Sequence, residues 1–365
     1  MKLGSVACRA RGILIVALAC TSSVAHAAAL TNVFFFGDSV SDQGNAALLN
    51  SPPGNSPTGN PPSRSPVPYP DQADGFTYTP VYVPPWRRPY ETSDRFTNSN
   101  TWTAAFANAL GFSSAAAPSL SGGNNYAVGG ASVVPLGGTP PNPPALVEQL
   151  ASFRQAYAEG MFDPTALYVI EGGGNDLLEI ASGNPQASAE GIVRGLGFMV
   201  QNLLSWGAQN IIVWQVPDIT LAPQFRAGVA TGLITPEQGA LVLALVNGVN
   251  QQIEAFDALP GVDIFPVTDL FRGVVSNPGA FGLVDANSPC GFVAVFSATQ
   301  GQCTSSFLFW DGVHPTSAGH QITANAMLAV VPEPSVLLLL LVACASLLST
   351  WHVRSTASPH TPRAR

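Results

Sequence analysis

Short, unbroken apolar runs decide what this chain can fold into. Residues 32–36 read NVFFF and close on Gly37; 166–170, 210–216 and 262–267 are built alike, and a weaker run occupies 124–128. A brief apolar run without polar alternation fits a strand buried on both faces, and is too short for an ordinary helix. Segments with helical spacing lie between the runs, near 101–110, 145–159, 187–206 and 236–258, with a last one near 317–329. Such alternation predicts an α/β domain: a parallel sheet covered by helices on both faces, with its site at the carboxyl ends of the strands. No internal repeat is visible.

The two ends of the 365-residue chain read as something other than this domain. In 1–27, Lys2, Arg9 and Arg11 precede an apolar stretch from Ile13 to Cys20, and Ala25-His26-Ala27 supplies an A-x-A cleavage site, the pattern of a secretory signal peptide. Cys20 offers a lipidation alternative, for which Ala17 and Leu18 are poorly suited. In 332–365, Pro332-Glu333-Pro334 leads into an apolar run from Val336 to Leu348, followed by Arg354, Arg363 and Arg365. That run is short for a spanning helix, which needs about 20 residues. A plain hydrophobic anchor is one reading. The order of motif, apolar run and basic end also resembles the PEP-CTERM sorting tails of exported bacterial proteins, which implies an exosortase-type processing enzyme as partner and membrane contact through this tail alone.

Residues 28–331 form the expected domain, with eight arginines, no lysine, 13 aspartates and eight glutamates, a net charge of −13. This sign excludes a nucleic-acid or anionic-surface binder. The sole lysine, Lys2, lies in the leader, so a phosphate-binding P-loop, Schiff-base chemistry and a Ser-Lys dyad are excluded from the domain. Only Cys290 and Cys303 remain, too few for a structural zinc site and suited to one disulfide in an oxidising compartment, or else to two buried thiols. The Pro- and aromatic-rich stretch 51–90 reads as an insertion, either a lid or substrate wall or a surface excursion.

Candidate chemistry gathers where the runs end. After the first run comes Gly37-Asp38-Ser39, where glycine permits a sharp turn and the serine stands at the top of the sheet. A serine nucleophile needs a base and an oxyanion site. The domain has two histidines, and Asp311-Gly312-Val313-His314 puts a carboxylate three residues before one of them, where a turn lets it hold the imidazole. His320 is the rival, inside the last helical segment with no carboxylate nearby in sequence. Gly129-Gly130 and Gly172-Gly173-Gly174-Asn175-Asp176, at the ends of two further runs, offer backbone and amide donors for an oxyanion.

The ordered blocks Gly-Asp-Ser, Gly, Gly-x-Asn-Asp and Asp-x-x-His resemble the GDSL or SGNH hydrolase family over about 32–330. Asp94-Arg95-Phe96-Thr97-Asn98 and Trp102 also resemble a segment of its secreted lipases. The resemblance implies a flavodoxin-like three-layer α/β/α sandwich with a central five-stranded parallel sheet. It implies Ser39 as nucleophile, Asp311 and His314 as its triad partners, and Ser39, Gly130 and Asn175 as the oxyanion hole, with no cofactor or metal. Gly130 is preferred to Gly129 because it stands five residues after Asn125, as in the family's block. The expected function is an exported hydrolase of lipid or short-chain carboxylic esters at the cell envelope or outside the cell; the alternatives are an acyltransferase using the same triad and a non-catalytic envelope protein on a hydrolase scaffold.

Overall fold

β1 (Val33–Phe36), β2 (Leu167–Ile170) and β3 (Asn210–Trp214) are buried along their whole length. Strands covered on both faces require this, and the uniform apolar runs supply it. They belong to a computed structural model that describes residues 30–50, 94–136, 143–157, 162–290 and 306–331. With β4 (Val262–Phe265) they make a parallel sheet in the order β1-β2-β3-β4. The register sets Phe34 beside Tyr168, Tyr168 beside Ile211, and Ile212 beside Asp263.

Odd and even residues of the strands feed two separate cores. Phe34, Phe36, Tyr168, Ile170, Ile211 and Val213 pack beneath α3 (Leu146–Ala156), α5 (Ala189–Ser205) and α7 (Pro236–Glu254). Val33, Phe35, Leu167, Val169, Ile212 and Trp214 face α2 (Trp102–Ala109), the start of α8 (Val267–Ser276) and α9 (Ser317–Leu328). Helix, sheet and helix thus form three layers, as the period-two geometry of a strand dictates.

Of the five-stranded sheet implied above, the ladder among the described residues has four strands. The 124–128 run reaches β1 through a single bridge, Phe35 with Asn125. Hydrogen bonds support it, from the Phe35 N–H to the Asn124 carbonyl, the Tyr126 N–H to the Phe35 carbonyl and the Val128 N–H to the Gly37 carbonyl, at 3.1, 2.8 and 3.1 Å. Its other backbone groups are taken up elsewhere. The Asn45 amide binds the carbonyls of Asn125 and Ala127, and the Asn125 N–H binds the Ala117 carbonyl. Counted by its place beside β1, this segment makes the chain order reverse between β1 and β2, and ligands of open α/β sheets bind outside the strand ends at such a reversal.

Several elements depart from the sequence expectation. The third and fourth runs end as strands at Trp214 and Phe265, the fourth because Val267 already opens α8. α1 (Asn45–Asn50), α4 (Gly174–Ala181) and α6 (Pro223–Ala230) are additional helices. A separate two-stranded parallel sheet pairs β5 (Asp285–Pro289) with β6 (Phe307–Phe309), and the loop after β6 leads into α9. The segment 1–27 expected to be a signal peptide, the 51–90 stretch expected to be an insertion, Cys303 and the 332–365 stretch lie outside the described residues. Among the described residues no helix is long and apolar enough to cross a membrane.

Candidate active site

Ser39 sits in a turn that β1 alone could not hold. The Gln149 side chain grips both backbone groups of Gly37, its Oε1 accepting the N–H at 3.0 Å and its Nε2 donating to the carbonyl at 2.9 Å. Beyond Ser39 the N–H groups of Ser41 and Asp42 return to the Asp38 carbonyl at 3.2 and 3.0 Å, closing the turn. The Asp42 carboxylate then accepts from the N–H groups of Gly44, Asn45 and Ala46, fixing the start of α1, and from Gly129 at 2.9 Å. Trp102 Nε1 donates to the Ser41 hydroxyl at 3.0 Å, and Asn125 Nδ2 to the Ser41 carbonyl at 2.8 Å.

The histidine arrives on the loop between β6 and α9. Asp311 Oδ1 accepts the N–H groups of Val313 and His314 at 2.8 and 2.6 Å, which bends the loop into a turn. Its Oδ2 lies 2.7 Å from His314 Nδ1, and His314 Nε2 lies 2.8 Å from Ser39 Oγ, across 275 residues of sequence. Ser39, Asp311 and His314 are buried, at 7, 5 and 5% exposure, so the chain of contacts is largely shielded from water. The segment singled out at Asp94–Asn98 clamps this loop. The Phe96 ring lies 5.5 Å from the imidazole, the Thr97 hydroxyl donates to the Pro315 carbonyl at 2.8 Å, and Asn98 Oδ1 accepts the Ser317 N–H at 2.8 Å.

His320 is not part of this arrangement. It is buried in α9, where burial first and the charge of His314 second push its pKa down to about 3, and its Nδ1 has no hydrogen-bond partner among the described residues.

On the proposed oxyanion side the picture is more specific than the sequence. Gly130 adopts φ 80°, a conformation that suits glycine, and its N–H makes no hydrogen bond among the described residues, nor does that of Ser39. The Gly129 N–H is committed to Asp42, so of the two glycines only Gly130 has a donor to give. Asn175 lies in the first turn of α4 behind Gly173, whose φ of 99° turns the chain into the helix. Its Nδ2 donates to the Ala131 carbonyl at 2.9 Å and to Asp38 Oδ2 at 3.2 Å, so in this state the amide is held by the protein itself.

Four buried carboxyls underlie the site. Burial raises all of them: Asp42 to about 6, against the pull of its four backbone N–H donors, and Asp176 to about 7, against the Val133 N–H it binds. Asp38 moves up through burial and Glu171 moves well up through burial and the neighbouring charge of Asp38. Sequence reasoning missed Glu171, Gln149 and the bond between Asp42 and Gly129. A signal existed for Glu171: it is a lone acid following the apolar 166–170 run directly, a place where a charge needs a reason. Among the described residues no group of acids, cysteines or histidines is arranged to hold a metal ion.

A cavity of about 970 Å³, its mouth included, opens over Ser39 and His314. Its walls are mainly apolar, with Leu178, Pro217, Ile219, Leu221 and Phe271 among them, and Asp38, Glu171 and Asn175 form its polar floor. A parallel α/β/α domain with a serine, imidazole and carboxylate in hydrogen-bonded series at its strand ends defines the class of serine-hydrolase-like folds. Residues 33–327, from β1 almost to the end of α9, match the model of the GDSL-like lipase/acylhydrolase family, and the chain belongs to that family.

Three relatives illustrate its range. An uncharacterized protein of the trpE-trpG intergenic region of Pseudomonas putida is 32% identical over 248 residues, 60% of this chain and 40% of that protein. The thermolabile hemolysin of Vibrio parahaemolyticus is 29% identical over 272 residues, 67% of this chain and 58% of the hemolysin. Esterase EstA of Pseudomonas aeruginosa is 27% identical over 194 residues, 49% of this chain and 28% of the esterase. In each case the chain spans less than two thirds of the relative's own length.

Proposed function

We propose that this chain is an exported serine esterase that cleaves lipid or short-chain carboxylic esters through an acyl-enzyme on Ser39. One observation carries the reading: the series from Ser39 Oγ to His314 Nε2 at 2.8 Å and from His314 Nδ1 to Asp311 Oδ2 at 2.7 Å, at the floor of an apolar-walled cavity. His314 takes the serine proton as Oγ attacks the ester carbonyl, while Asp311 holds the ring and stabilises the imidazolium. The negative charge that develops on the carbonyl oxygen is received by the N–H groups of Ser39 and Gly130 and by the Asn175 amide. His314 passes its proton to the leaving alkoxide; a water then attacks the acyl-enzyme with His314 as base, releasing the acid and restoring Ser39.

Membership in the lipase/acylhydrolase family and the likeness to a protein named an esterase support this chemistry. The unpaired N–H groups of Ser39 and Gly130 support the oxyanion assignment. The remaining expectations are part of the same proposal. The fold is flavodoxin-like, with 124–128 as the outer element. The 1–27 segment directs export to the envelope or beyond, and the PEP-CTERM-like tail anchors or is processed there. Cys290 pairs with Cys303 in the oxidising compartment; what supports the pair is that Cys290 is fully buried and disulfide-bonded.

The test is hydrolysis of p-nitrophenyl acyl esters of graded chain length by the full chain and its Ser39→Ala variant. Hydrolysis by the former and not the latter is the expected result, and a preferred chain length reports how much of the apolar wall the acyl group uses. Equal hydrolysis by both overturns the reading.

A further inference from the structure

Two acids of the cavity floor have no part in acyl transfer as written above. Asp38 and Glu171 stand at the ends of the adjacent strands β1 and β2, 3 and 2% exposed, and each acts on the other's ionisation. A bond between two such carboxyls needs a proton, since two ionised carboxylates are acceptors only. Their other partners divide the labour. Glu171 Oε2 accepts the Asp38 N–H at 3.1 Å and the Ser41 hydroxyl at 2.9 Å, while Asp38 accepts the Val40 N–H at 3.0 Å on Oδ1 and the Asn175 amide at 3.2 Å on Oδ2.

The acid is packed directly against the nucleophile turn: a Cβ added at Gly37 would lie 2.6 Å from Glu171 Oε2. The ionisable groups that face the pair are His314, on the loop before α9, and Asp176, on α4. α3 presents the neutral Gln149 to Gly37, and α2 presents the Trp102 indole to Ser41. Asp42, whose charge acts on Arg95, is turned to the backbone of Gly44, Asn45, Ala46 and Gly129.

We propose that Asp38 and Glu171 work as a single carboxyl pair sharing one proton, and that this pair positions the Asn175 amide and sets the charge beneath the oxyanion site. The inference rests on the esterase reading above. At rest Asp38 Oδ2 receives the amide hydrogen that the Ala131 carbonyl leaves over, and the substrate oxyanion takes Asp38's place as that hydrogen's acceptor. With the Glu171 proton directed at Asp38, the carboxylate charge is shared between two groups and the amide is released readily. Once the proton is lost, two negative charges lie where a third must develop; Asp38 keeps the amide and turnover falls. Burial raises both carboxyls, Glu171 the more strongly, which moves this loss to a higher pH than an ordinary carboxyl would give. Both are positioning residues that act through Asn175.

The test is the pH profile of kcat for the full chain on p-nitrophenyl butyrate, with far-UV circular dichroism verifying the fold at each pH. For the wild type, kcat falls at least tenfold through one alkaline ionisation while KM changes little. Glu171→Gln still donates to Asp38 and accepts from Ser41 but cannot ionise: its kcat at neutral pH is lowered severalfold and the alkaline fall is gone. Glu171→Leu loses the donor and is at least tenfold worse again, so that the amide partly rescues it. A wild-type kcat level to the alkaline limit overturns the proposal without any variant having to fold, and so does a Glu171→Gln profile parallel to the wild type. Fluorophosphonate labelling separates the two failures. Labelling at Ser39 without an alkaline effect removes only the carboxyl pair, whereas intact activity without labelling at Ser39 removes the esterase reading with it.

Discussion

The two sides of the proposed catalytic centre are held in different ways. The nucleophile turn, 37–45, is closed by its own backbone but also depends on many outside partners: Gln149 of α3, Glu171 after β2, Trp102 of α2 and Asn125 of the edge segment. The base loop is mostly fixed from within, because Asp311 bonds two N–H groups and the imidazole inside four residues. Its outside supports are fewer: the Thr97 hydroxyl on the Pro315 carbonyl, Asn98 on the Ser317 N–H and the Gln224 N–H on the Gly312 carbonyl. A turn held from outside inherits its accuracy from the whole sheet and tolerates little crowding. A turn held from within carries its own geometry and depends on one carboxylate.

The comparison breaks first at its two reactive ends. Ser39→Ala is expected to reduce kcat by about 10⁴ or more with the fold retained, as loss of a triad nucleophile does. Ester turnover with a circular dichroism check tests this, and activity within tenfold of wild type contradicts it.

Asp311→Asn attacks the internally held side. The amide keeps the shape of the turn but favours the wrong tautomer of His314, so kcat falls by about 10³ to 10⁴ while KM stays nearly constant. A loss carried mainly by KM would mean that Asp311 shapes the cavity instead of orienting the base. Asn175→Ala removes one oxyanion donor and is expected to cost about 10² to 10³ in kcat.

Crowding sharpens the contrast in stability. A Cβ at Gly129 falls 1.9 Å from the Phe96 ring, whereas one at Gly312 meets the Gln224 Cβ at 3.0 Å. Gly129→Ala should therefore lower stability by about 3 kcal/mol and Gly312→Ala by less than about 1 kcal/mol, read from urea unfolding. Equal losses would mean that the glycine loop beside the nucleophile turn is packed no more tightly than the base loop.

The smallest effect is in pH. Asp42 and Asp176, raised to about 6 and about 7, bind protons in the folded state between their unfolded values and these, so folding stability increases as pH falls from 7 toward 5. His320, lowered to about 3, acts in the opposite sense: below its unfolded value the unfolded chain gains a proton that the fold refuses. The raised acids outweigh it by on the order of 1–2 kcal/mol, visible as a higher urea midpoint at pH 5 than at pH 7. A lower midpoint at pH 5 would put the dominant titration at His320.

Legibility follows the same divide. Asp311 and His314 were readable as a pair because a turn makes residues three apart neighbours, whatever the remainder of the chain does. β1, β2 and β3 were readable because burial on both faces leaves a composition signal, and the partly buried β4 carries a weaker one. α4 escaped because its start is a glycine cluster, and those residues read equally well as a tight turn; Gly173 at φ 99° is the N-cap that starts it. α8 escaped because β4 runs almost directly into it, with no polar break between Phe265 and Val267.

The sequence by itself determined the layered α/β plan, the strand-end position of Ser39 and the local pairing of Asp311 with His314, since each follows from side-chain period or from contacts within a few residues. The tertiary structure alone decided that His314 Nε2 lies 2.8 Å from Ser39 Oγ across 275 residues while His320 stays buried in α9, that the Gly129 N–H is bound to Asp42, and that Glu171 lies against the backbone of Asp38. These depend on which strand lies beside which and on what burial does to charge, and a one-dimensional pattern carries neither.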